Sequence, residues 1–122
     1  MRYDFTFITA ALLCLLAGEC LGIWMGIAHD FTLSPAHAHL NLLGWVTLAL
    51  YGVMHRAYPA LAQAKAAKAQ AVLAITGSVA LPAGIAMSIL TNNPILAIIA
   101  SFVVLGATAT FLAMFAGKAP AG

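Results

Sequence analysis

An all-α integral membrane fold of four transmembrane helices is what this sequence predicts, and three observations predict it. Hydrophobic residues make up 64% of the 122-residue chain and charged ones 7%, with a mean hydropathy of +1.03, a balance found in membrane proteins. Four stretches, residues 5–27, 35–55, 69–90 and 94–115, reach the roughly 20 mostly apolar residues that a bilayer crossing needs. Finally, the cations fall in a pattern: Arg2 precedes the first stretch, Arg56, Lys65 and Lys68 lie between the second and third, and Lys118 follows the fourth. In a four-span chain all of these lie on one side, which the positive-inside rule makes the cytoplasm. Both termini are therefore expected inside, with the loops at 29–34 and 91–93 outside. One domain accounts for the whole chain, and no room is left for a soluble one. A net charge of +2 is too small to suggest nucleic acid as a partner.

The first span opens behind a basic residue and reaches membrane-spanning length, so it is expected to stay as a helix rather than be cleaved as a signal. LAGEC at 16–20 is similar to a lipoprotein cleavage box with one residue too many before Cys20. Cys14 and Cys20, inside this apolar helix, read as small buried hydrophobes rather than a disulfide. Cys14, Gly18, Gly22 and Gly26 recur every fourth residue and form a smooth stripe for close helix packing, within the chain or against another subunit. Glu19 is the only carboxylate deep in a span. It is expected either as a neutral acid at a helix contact or as a proton-exchanging group.

Ser34 and Pro35 suit the start of the second span, a capping hydroxyl followed by a proline in the first turn, and Asn93 with Pro94 repeats the device at the fourth. The polar-leaning connection at 58–70 is expected as a short interfacial helix or a solvated loop. Gly77, Pro82 and Gly84 make the third span a candidate for a kink. His37, Asn41, Gly44, Leu48, Tyr51 and His55 share one face of the second helix, and His55-Arg56 is expected to end it at the cytoplasmic headgroups.

Candidate chemistry lies at 34–45, SPAHAHLNLLGW, where His37 and His39 enter an apolar helix together. At about 100° per residue the two point about 200° apart. A regular helix gripping one ion places its histidines at i and i+4 instead, so this pair is expected to serve two centres, one on each flank. The positive end of the helix dipole disfavours the imidazolium, which leaves the neutral form that binds metals and heme iron.

His29-Asp30, His37-Ala38-His39 and Gly44-Trp45 together closely resemble the tenth transmembrane helix, and the loop before it, of the heme-copper oxidase and nitric oxide reductase catalytic subunits. The Gly-Trp after the pair looks most like the C-family oxidases. The resemblance covers about 17 residues, His29 to Trp45. It implies heme b as cofactor, with His37 matching the proximal ligand of a high-spin heme, His39 matching a low-spin heme ligand, and His29 and Asp30 near propionates. Beside them, Asn41 is placed to hydrogen-bond another helix or to fix a ring or propionate, Gly44 to admit a flat macrocycle or another helix, and Trp45 to sit in the core, in the interfacial belt or against heme. The family fold holds about twelve helices in three arcs of four. A homotrimer of this chain, each copy contributing four helices and neighbours sharing hemes, would mimic it.

The departures matter as much. His55 lies about 24 Å down the helix from the pair and cannot complete a site at the outer mouth, and no set of copper ligands is present. Full oxygen reductase activity is therefore not expected. The implied function is a multi-pass protein of the bacterial inner membrane in electron transfer or in binding O2 or NO, with lipid, other copies of itself and a redox protein as partners. The alternative is a copper- or zinc-binding or assembly component that uses His29, Asp30, His37 and His39 without heme.

Overall fold

The computed structural model describes residues 1–121, and these are helical nearly throughout, with no strand among them. Helix α1 spans Tyr3–Ala28. A second rod follows in three segments laid end to end: α2 over Ser34–His39, a π-helical segment over Leu40–Thr47, and α3 over Leu48–Ala57. A 3₁₀ turn at Pro59–Gln63 leads to α4, Ala67–Thr91, and then to α5, Ile95–Lys118, with a last 3₁₀ turn at Ala119–Ala121. Three helices, α1, α4 and α5, are each long and apolar enough to cross a membrane. The chain is thus a membrane protein by its helices, and the segmented rod lies alongside them, packed on α1 and α4.

The helix ends show which sequence signals operate. His29 closes α1 in the left-handed conformation at φ 50°, and Asn92 closes α4 the same way at φ 58°, a region that histidine and asparagine enter more readily than most residues. Asn93 accepts the Ile95 N–H, the first of α5, at 3.1 Å, although Pro94 rather than Asn93 occupies the capping position. Ser34 does not cap α2: it is already inside the helix, behind Leu33, with Pro35 in the first turn. Pro82 sits buried within α4 without ending it.

The π segment is held by local bonds. Its backbone bonds reach five residues back, as from Leu48 N–H to Leu43 C=O, and the Thr47 hydroxyl donates to the Leu42 carbonyl at 2.8 Å. Such segments hold one residue more than an α-helix of equal length and often mark functional sites.

The main core cluster lies in the half of the bundle that carries the two termini. Phe7 and Ala11 of α1, Leu48 and Tyr51 of α3, and Phe111 of α5 meet there with Leu61 of the 3₁₀ turn. Gln70, fully buried on α4, braces α5 by donating to the Ala107 carbonyl at 3.3 Å. The connection at 58–70 is therefore anchored, because Leu61 is fully buried. In the opposite half α4 and α5 approach so closely that a Cβ on Gly84 would lie 2.5 Å from the Ala97 backbone nitrogen. Between α1, α2 and α4 that half retains an apolar cleft of about 250 Å³, lined by residues including Leu21, Ala36 and Pro82.

Candidate functional site

The glycine stripe of α1 seats one member of the histidine pair, His37. A Cβ on Gly22 would lie 3.0 Å from His37 Nε2, one on Gly18 would collide with the Asn41 amide, and one on Gly44 would lie 2.7 Å from Cys14 Cβ. The stripe therefore serves packing within the chain over Cys14, Gly18 and Gly22, with His37, Asn41 and Gly44 of the second rod seated on it. Gly26, the fourth member, has no atom within 4 Å of its would-be Cβ. Gly44 is used for close approach of a helix.

The two imidazoles have different surroundings. His37, partly buried, has Nε2 3.3 Å from Asn41 Nδ2. With the amide nitrogen donating, the one lone pair of the neutral ring is occupied by Asn41 and its face is covered by α1. Asn41 Oδ1, on the other side of the amide, is buried without a donor. His39 Nδ1 lies 2.7 Å from the Pro35 carbonyl. Since a carbonyl only accepts, Nδ1 carries a proton, and in the neutral ring Nε2 then keeps its lone pair free. Fixing one ring nitrogen on a backbone carbonyl is how proteins hold a histidine for a metal. His39 fits an iron ligand as it stands. His37 fits one only after giving up Asn41.

His29 and Asp30 are exposed in the loop between α1 and α2. Asp30 folds back on that loop, accepting the Thr32 hydroxyl at 2.6 Å and the Thr32 N–H at 3.1 Å. These bonds hold its carboxyl below the usual carboxylate range. Among the described residues no three His, Cys, Asp or Glu side chains gather closely enough to hold a metal ion. Trp45 packs, half-buried, against the edge of the core. Cys14 is buried and Cys20 exposed, and both are free thiols, so the reading of Cys20 as a buried hydrophobe is corrected. Glu19 also lies on the exposed side of α1.

His55 is the largest departure from the sequence reading. Rather than ending the helix among headgroups it is 6% exposed, stacked with Tyr3 at 5.0 Å and Phe7 at 5.7 Å, with the Phe111 ring edge-on at 5.9 Å. Neither ring nitrogen has a partner. Its place on the face shared with Leu48 and Tyr51 was the available signal. The caging rings come from the far ends of the chain and gave none. Comparison with known protein families, with curated proteins and with solved structures found no match for this chain.

Proposed function

We propose that the chain is a heme b protein of the bacterial inner membrane, acting in electron transfer or in binding a diatomic gas, with His39 the iron ligand that each subunit presents. The observation that carries this reading is the His39 ring itself: Nδ1 committed to the Pro35 carbonyl and Nε2 free on a partly exposed flank of α2. Bound there, heme supplies a one-electron couple if a second histidine completes the iron, or an open position for O2 or NO if none does.

Assembly from copies of the chain, a trimer by the family resemblance, has its own support. The contacts of Gly22 with His37 and Gly18 with Asn41 bring His39 level with Cys20 and Glu19 level with Leu40. Glu19 and His39 therefore leave the protomer within about one residue rise, about 1.5 Å, of the same depth. A carboxyl inside the bilayer is costly against lipid, and protein from a neighbouring copy removes that cost. His37, seated on Gly22 and bonded to Asn41, holds α2 against α1. It joins a second iron only by exchanging that bond.

Purification from heme-replete cells tests the reading. The expected preparation is red, with Soret and reduced α bands that His39→Ala abolishes and His37→Ala retains. A colourless protein carrying stoichiometric copper or zinc, or a heme spectrum that survives His39→Ala, overturns it. Carbon monoxide added to the reduced protein separates open from doubly ligated iron.

A further inference from the structure

A second site lies at the opposite end of the bundle, around the caged His55. A pocket of about 210 Å³ opens there, lined by residues including Arg2, Tyr3, Asp4, His55, Arg56 and Pro59. Arg2 bonds the Asp4 carboxylate at 3.0 Å and Arg56 lies 3.6 Å from it, so the two guanidiniums are drawn together over one carboxylate. Each guanidinium has five N–H donors, and one contact to Asp4 leaves most of them unspent. The three fixed charges sum to a surplus of one positive. Behind them is His55, more than nine-tenths buried, with both ring nitrogens unpartnered. A buried polar group without a partner is destabilising, and the aromatic cage offers it none.

We infer that this pocket binds a phosphate group, held by Arg2 and Arg56 and reached by an N–H of His55. Convergent arginines suit phosphate because their planar forks donate paired, charge-assisted hydrogen bonds. The pocket is at the end of the bundle that also carries Lys65, Lys68 and Lys118, and basic residues at a membrane face attract anionic headgroups. The phosphate has two possible sources, the diester of an anionic lipid or a free phosphate from solution. The site is independent of heme and stands whether or not His39 holds iron.

The test uses the full chain in neutral detergent micelles, with thermal unfolding followed by circular dichroism. One arm adds inorganic phosphate against chloride at equal ionic strength, and the other adds short-chain phosphatidylglycerol to the micelles. A rise in Tm of several degrees is expected in one arm: with inorganic phosphate the source is free anion, with phosphatidylglycerol alone it is a headgroup. The rise is expected to vanish in the Arg2→Gln/Arg56→Gln double variant and in His55→Phe, which keeps the aromatic packing. Ring ¹⁵N spectra of His55 in the unmutated chain give a second reading, with a shift on adding the effective probe. No rise with either probe, a rise that persists in the double variant, or an unmoved His55 nitrogen overturns the inference.

Discussion

Adding one methyl group at three points of the α1 stripe yields a graded prediction. At Gly26 an added Cβ meets nothing within 4 Å, so Gly26→Ala is expected to be neutral or to stabilise by up to about 1 kcal/mol through helix propensity. At Gly22 the nearest atom is His37 Nε2 at 3.0 Å. A shift of a few tenths of an ångström accommodates it, for a cost within about 1 kcal/mol. At Gly18 the methyl collides with the Asn41 side chain, which must swing away and release His37. The lost hydrogen bond is worth about 0.5–1.5 kcal/mol and the overpacking about 1–3 kcal/mol more. Set against the same helix-propensity gain of about 1 kcal/mol, Gly18→Ala is therefore expected to cost about 0.5–3.5 kcal/mol. Equilibrium unfolding in mixed micelles, read by circular dichroism, ranks the three. Gly18→Ala as stable as the parent refutes the contact. Gly26→Ala as the most damaging of the three refutes the assignment of the stripe to packing within the chain, because only a neighbouring subunit could then be touching it.

The α4–α5 contact predicts a similar contrast. Gly84→Ala drives a methyl into the Ala97 backbone and is expected to destabilise by at least about 1–3 kcal/mol, whereas Gly106→Ala on α5, with nothing within 4 Å, is expected to cost nothing in the same unfolding assay. Tyr51→Phe removes the hydroxyl contact with Thr108 at 3.2 Å and is expected to cost about 0.5–1.5 kcal/mol. The Asp30 carboxyl is held low in the folded loop by Thr32, so the order it lends is present above the unfolded carboxyl pKa of about 3.9 and is lost as pH falls through the folded value. Hydrogen exchange at the Thr32 amide, corrected for intrinsic rate, is expected to lose protection below about pH 4, and Asp30→Asn is expected to remove that pH dependence.

Membrane character was legible in the sequence because hydropathy and length act locally along each helix, and a bond from Asn93 to the start of α5 was legible because it reaches only two residues ahead. Opposed directions for His37 and His39 followed from helical geometry alone, and the α-helical turn at Ser34–His39 preserves that geometry. What escaped depends on distant partners. The bonds that distinguish His37 from His39 are local, Asn41 and Pro35 each lying one turn away on the same rod, and Asn41 beside His37 was legible; the seating of His37 and Asn41 on Gly22 and Gly18 of another helix was not. His55 is caged by Tyr3, Phe7 and Phe111, brought together only by the fold. The π segment was hidden for another reason: LNLLGWVT carries no proline, and its wider turn is recorded in backbone bonds that five ordinary apolar residues, a glycine, an asparagine and a threonine do not announce.

That segment also acts as a rotary stop. The terminal half of the second rod is anchored in the core through Leu48 and Tyr51, so the direction in which the outer turn faces is set by how many residues the intervening stretch winds in. Wound as an ordinary α-helix without that wider turn, the same eight residues would carry one residue too many and swing the outer turn by about 100°. His37 would leave its glycine seat and His39 would point at a different neighbour. A single codon's worth of length thus sets the compass bearing of both imidazoles, while the chemistry of the rings themselves stays the same.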